Sequence, residues 1–312
     1  MRPTGASTGP LGAPGAIDGL RRALQTSWPA LVVDLVEEIG STNTALLQAL
    51  RGRGPHTPHT PHTVHTPHGP HTPRLLVARR QTAGRGRLGR TWHAQADASL
   101  TFSLGLRLHR PDLSGLSLAV GVAIAQALDP SPPPERPRIG LKWPNDLWLH
   151  DPRADSGGRK LGGILIETTG NARERWGVIG VGLNILPLGS GEFASGLAWL
   201  QEIAPGTTTI AALHRIAPAL MQALDRFERE GLPGFVEAFR ARDLLQGRQV
   251  TTTSPEVPLG RAEGIDEAGA LRVRDPSGRL HVVTSGEVSI RLAEAAAEAS
   301  PPRPASGVPW PC

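Results

Sequence analysis

The sequence predicts a larger α/β domain over residues 17–243 followed by a small β-barrel-like domain over residues 244–293. Three observations carry this. Runs of strand character interleave with helix-periodic runs from residue 31 to residue 230. Residues 248–292 hold several short strand runs separated by Gly-rich turns, the spacing of an all-β module. The chain has 312 residues, 39% of them hydrophobic, enough length and apolar content for two cores.

Residues 1–16 are rich in Gly, Pro, Ala and Thr and are expected to be disordered, as are residues 294–312. An amphipathic helix is expected from Ile17 to Gln25, then a strand from Leu31 to Ile39. Ser41, Thr42 and Asn43 are three candidate N-caps for a helix over Thr44–Leu50. Residues 55–73 repeat His, Thr and Pro with a period of three and carry six histidines. Proline at that density favours extended polyproline II, so a disordered loop insertion is expected, with weak metal binding as the alternative. A strand over Leu75–Arg80 leads into a Gly/Arg loop over Thr82–Thr91. Ser99–Leu108 alternates apolar and polar residues as a strand does, and Asp112–Asp129 reads as a buried helix. Ile139–Trp143 and Leu147–His150 are short strands around a turn at Pro144-Asn145-Asp146. A polar loop, Asp151–Arg159, precedes core strands over Leu161–Thr168 and Gly177–Ile185. Thr209–Glu230 is helical in pattern, with a kink or break expected at Pro218.

Composition excludes several classes. The single cysteine, Cys312, removes disulfides, cysteine metal sites and cysteine nucleophiles from consideration and makes the cytoplasm the default location. No long purely apolar run and no signal-peptide pattern occur, so neither membrane insertion nor secretion is expected. The net charge is +5, which invites a nucleic-acid reading. That charge is spread along the chain, aromatic residues are 4% and tyrosine is absent, so base-stacking platforms are scarce and no nucleic-acid partner is expected.

The basic residues are 31 arginines against two lysines, Lys142 and Lys160. Asparagine is also rare: Asn43, Asn145, Asn171 and Asn184. Where arginine serves nearly every generic positive charge, a retained lysine marks a place needing a compact, flexible ammonium.

Gly84-Arg85-Gly86-Arg87-Leu88-Gly89-Arg90-Thr91-Trp92 alternates glycine with arginine. Glycine permits close backbone approach and positive φ, and arginine donates to phosphate or carboxylate. The segment fits an anion-binding loop, a solvated loop or an RGG-like nucleic-acid segment; it lacks the Gly-Lys-Ser/Thr ending of a P-loop. Lys142-Trp143-Pro144-Asn145-Asp146, the segment Gly158–Glu167 and Gly180-Val181-Gly182-Leu183-Asn184-Ile185 hold both lysines and two of the rare asparagines.

Together with Ser41-Thr42-Asn43, these segments resemble, in order, the motif series of biotin protein ligases, over roughly residues 30–200. Residues 247–250, 264–266, 269–271 and 286–288 resemble that family's SH3-like end domain. The resemblance implies a mixed sheet flanked by helices, then an SH3-like barrel. It implies a ligase that converts biotin and MgATP to biotinyl-5′-AMP and pyrophosphate, then passes biotin to a lysine of a biotin carboxyl carrier protein. It places Ser41, Thr42, Asn43, Gln81, Arg85, Gly86, Arg87 and Lys160 at biotin, with Lys160, Arg85 and Arg87 catalytic. It places Gly84, Arg90, Trp92, Lys142, Asn145, Asp146 and Asn184 at ATP, leaves the Mg2+ ligands unassigned and admits a homodimer. Too few residues precede Ser41 for the winged helix-turn-helix of repressor members, so no operator binding is expected. A lipoate or octanoate ligase is the nearest alternative; the GRGRLGR loop and the SH3-like end favour biotin.

Overall fold

The computed structural model describes residues 15–51, 72–130, 137–151, 157–171, 174–188, 196–284 and 291–292. The expected disorder of 1–16 and 294–312 and the expected loop insertion at 55–73 therefore lie almost wholly outside the described residues.

The first sheet has seven strands: β1 Val32–Ile39, β2 Arg74–Gln81, β3 Ser99–Leu108, β4 Ile139–Lys142, β5 Asp146–His150, β6 Gly158–Gly170 and β7 Arg175–Asn184. Their order across the sheet is β1-β2-β3-β7-β6-β5-β4. β1 and β2 are parallel and every other neighbouring pair is antiparallel, so the sheet is mixed as expected. The helices are α1 Asp18–Ser27, α2 Thr42–Leu50, α3 Leu116–Leu128, α4 Thr209–Glu230 and α5 Val236–Arg240. Helix α4 packs on α3, α1 and β3 over one face of the sheet, and α2 lies against β2, β3, β6 and β7. The second sheet is β8 Gln249–Thr251, β9 Leu259–Ile265, β10 Leu271–Arg274, β11 Leu280–Val283 and β12 Arg291–Leu292, in the order β11-β10-β9-β8-β12, antiparallel throughout.

Four sequence expectations shift. Helix α3 begins at Leu116, not Asp112, because Gly115 takes φ +76 and Asp112 Oδ1 turns back to accept from the Ser114 N–H. Helix α4 runs unbroken through Pro218. A mid-helix proline costs about 3 kcal/mol, and here a 22-residue amphipathic helix with ten buried side chains outweighs it. The polar loop ends early: Gly158 and Arg159, expected in the loop, already pair with β5, as does Lys160. Ser41 is the N-cap of α2, its Oγ accepting from the Thr44 N–H at 3.4 Å, and Thr42 and Asn43 belong to the helix itself.

The loop between β9 and β10 packs against the first domain. The Trp143 Nε1–H donates to the Gly269 carbonyl at 2.8 Å, and Gly115 and Gly269 approach so closely that a Cβ on Gly269 would lie 3.1 Å from the Gly115 Cα. Where α3 ends, the Asp129 carboxylate is 1% exposed. It accepts from the backbone N–H groups of Arg138 and Ile139 at 2.6 and 2.9 Å and pairs with the buried Arg242 at 3.3 Å. That cluster ties α3 and β4 to the segment entering the second sheet.

Candidate active site

The site forms where α2 covers the polar face of β3. The alternation along β3 puts Phe102 and Leu104 into the main core and turns Thr101 and Ser103 the other way. That second face is not solvated: Thr101 is 1% and Ser103 0% exposed. Buried hydroxyls need partners. Ser103 Oγ lies 2.6 Å from both Thr42 Oγ1 and Asn43 Oδ1. Gln81 Oε1 accepts from the Thr42 N–H at 2.8 Å and its hydroxyl at 3.0 Å. Asn43 Nδ2 donates to the Leu165 carbonyl and to Glu167 Oε2, each at 3.1 Å. The first turn of α2 is thus a fixed array of hydroxyls and amides. Gly180 makes room for it, since a Cβ there would sit 2.1 Å from Asn43 Oδ1.

The Gly/Arg loop lies beside this array. It closes on itself through the Gly86 N–H to the Arg90 carbonyl at 2.7 Å and the Trp92 N–H to the Gly84 carbonyl at 2.9 Å. A single turn of 3-10 helix spans Arg87–Gly89, with Leu88 at φ 56 and 65% exposed. The side chain of Arg85 lies 3.3 Å from Glu167 Oε1, and Arg87 donates to Asn145 Oδ1 at 3.1 Å. Burial pushes the Arg87 guanidinium below its ordinary pKa; Asp146 opposes that and Arg90 adds to it.

Across from the loop, Lys160 Nζ is 2.8 Å from Asp146 Oδ1 and 6.0 Å from the centre of the Trp92 ring. The Asn145 amide donates to the Ile164 carbonyl at 2.7 Å, fixing the turn that carries Asp146. Lys142 stacks its ammonium on the Trp148 ring at 4.2 Å. Asn184, 1% exposed, donates to the Ala198 carbonyl at 3.1 Å and keeps its Oδ1 buried without a partner; Trp92 Nε1 is likewise buried and unpartnered.

Thr42 with Gln81 and Asn43 with Glu167 connect directly, as do Arg87 with Asn145 and Lys160 with Asp146. Ser41 contributes as the helix cap, and Gly84 and Gly86 as loop backbone. Ser103 and Glu167 carry no role in the sequence reading, yet they hold the array together. The signal for Ser103 was the polar half of an alternating strand, which looks the same whether water or a helix covers it.

Among the described residues, no group of three or more His, Cys, Asp or Glu side chains is placed to hold a metal ion, and no helix is long and apolar enough to cross a membrane.

Gly182 supplies a prediction. A Cβ on it would lie 2.3 Å from Trp92 Cε2. Gly182→Ala therefore displaces the Trp92 ring, an overpacking cost of about 1–3 kcal/mol. The expected result is a folded protein whose melting temperature falls by about 5 °C, followed by circular dichroism; an unchanged melting temperature would show that the Trp92 ring has room to move.

Residues 55–184 match the model of the biotin/lipoate A/B protein ligase family, and residues 246–291 match the biotin protein ligase C terminal domain. The chain is 32% identical over 274 residues to the biotin--[acetyl-CoA-carboxylase] ligase of Mycobacterium tuberculosis, covering 82% of this chain and 88% of that protein. It is 34% identical over 226 residues to the bifunctional ligase/repressor BirA of Escherichia coli, covering 70% of this chain and 66% of that protein's length. The solved biotin protein ligase from Aquifex aeolicus in complex with biotin and ATP shares the fold, with a TM-score of 0.62, 24% identity and coverage of 84% of this chain and 99% of that one. The chain belongs to the biotin protein ligase family, and its small antiparallel C-terminal sheet is that family's SH3-like end domain.

Proposed function

We propose that this chain activates biotin with ATP and transfers it to a lysine of a biotin carboxyl carrier protein. The observation that carries this reading is the meeting of the chain's compact cation Lys160, paired with Asp146, and the Gly/Arg loop beside a buried hydroxyl–amide array. In the first step a biotin carboxylate oxygen bonds to the α-phosphorus of ATP and the bond to the β-phosphate breaks, releasing pyrophosphate. Two anions must meet, so cations placed in advance lower the barrier. Lys160, Arg85 and Arg87 fill that role, with Lys160 at the carboxylate and α-phosphate. In the second step the carrier lysine's amine bonds to the carbonyl carbon and AMP departs.

Ser41, Thr42, Asn43 and Gln81 suit the neutral ureido ring, which carries both donors and an acceptor. Loop residues Arg85, Gly86 and Arg87 close over it. Gly84, Arg90, Trp92, Lys142, Asn145 and Asp146 face the nucleotide, and the unpartnered Asn184 Oδ1 suits the amino group of adenine. Mg2+ would accompany ATP and offset the charge of its phosphates, with its protein ligands left unassigned. A cytoplasmic location accords with the single cysteine.

The test is pyrophosphate exchange with biotin against lipoate. A site that hydrogen-bonds its substrate rejects an analogue lacking those groups, because its own polar atoms are then left unpaired. Biotin is expected to support exchange at least about a hundredfold better. Equal or better exchange with lipoate would overturn the assignment.

A further inference from the structure

We propose that Glu167 is a positioning residue: a latch that holds Arg85 of the Gly/Arg loop to the sheet until the substrate's own anion takes its place. The inference rests on the ligase reading for the identity of that anion.

Glu167 lies on β6, and its two carboxylate oxygens do different things. Oε2 accepts from Asn43 Nδ2 at 3.1 Å, while Oε1 faces Arg85 at 3.3 Å. The first contact is the end of a continuous polar chain, from Gln81 through Thr42, Ser103 and Asn43 to Glu167. The second leaves that chain for the loop. One side chain therefore joins the proposed biotin array to the proposed closing segment.

The exposure of the two partners decides what the pair is for. The Glu167 side chain is 24% exposed and that of Arg85 48%. A pair this open to water adds little to folding. It is also easily exchanged, and the incoming substrate offers a carboxylate and phosphates, the same kind of anion as Glu167. A guanidinium donates to carboxylate and to phosphate through the same N–H groups. The latch biases the unliganded loop towards one arrangement, and the ligand shifts it by binding the alternative better.

Limited trypsin digestion at the loop arginines tests this directly. Glu167→Gln keeps an oxygen for Asn43 and removes the charge that holds Arg85. In the unliganded protein, cleavage after Arg87 and Arg90 is expected to run about two- to fivefold faster than in the natural chain, the range set by one partly exposed ion pair. Arg85→Gln, at an exposed position that does not threaten folding, is expected to give the same acceleration. The double variant is expected to be no faster than either single one, because both remove the same contact. With biotin and ATP bound, natural and Glu167→Gln loops are expected to be cleaved at equal rates, since Arg85 has been handed over. Additive single effects, or no acceleration in either, would overturn the latch. An excess cleavage of Glu167→Gln that survives ligand binding would overturn the hand-over. Digestion of the unliganded chain needs no turnover, so failure of biotin-dependent exchange would condemn the ligase reading without touching this result.

Discussion

Lys160→Ala is expected to lower biotin-dependent ATP–pyrophosphate exchange by about 10²–10³-fold in kcat, the range for removing one preorganised donor at a reacting centre. The ammonium is held 2.8 Å from Asp146 and faces the Trp92 ring, so it is oriented before any substrate arrives. Lys160→Arg is not expected to rescue exchange, because a planar fork cannot occupy the place of a point charge between a carboxylate and an indole. Unfolding should move little, since a partly exposed ion pair contributes at most about 1 kcal/mol. Exchange within a few-fold of normal in the folded alanine variant would remove Lys160 from the reaction.

Asp129→Ala has the largest expected effect on stability, and it is remote from the proposed chemistry. The carboxylate meets two backbone N–H groups and the buried Arg242 guanidinium. Removing it leaves an uncompensated buried charge, at a cost of about 3–5 kcal/mol, and lowers the melting temperature by roughly 10 °C for a chain of this size. Thermal denaturation followed by circular dichroism measures it. The variant should retain its KM for biotin at low temperature; a melting temperature within about 2 °C of the natural chain would show that Arg242 finds other partners.

Much of the site was legible in the sequence because its signals are local. Ser41 announces a helix start by chemistry that acts within four residues. The Gly/Arg loop declares itself by composition, and Lys142 and Lys160 stand out against the arginines around them. What escaped depends on elements distant in sequence. Ser103 looked like the solvent side of a strand, and only the placement of α2 over β3 makes it a buried hub. Glu167 closed a motif without a role because Asn43, Arg85 and β6 are far apart along the chain. The same holds for the fold. Alternation and periodicity located the strands and helices, whereas the continuity of α4 through Pro218 is decided by packing, which local propensity cannot report.

The scarcity of lysine has a consequence for self-acylation. A biotinyl adenylate is a mixed anhydride, and it reacts with unprotonated primary amines wherever it meets them. Guanidinium groups stay protonated and are poor nucleophiles. This chain's two lysine amines are both engaged, one against Asp146 and one over Trp148, while 31 arginines carry the remaining basic charge. An enzyme so composed presents few lysine targets to its own intermediate. Adenylate that escapes the loop would then mark the lysines of neighbouring proteins more readily than those of the protein that made it.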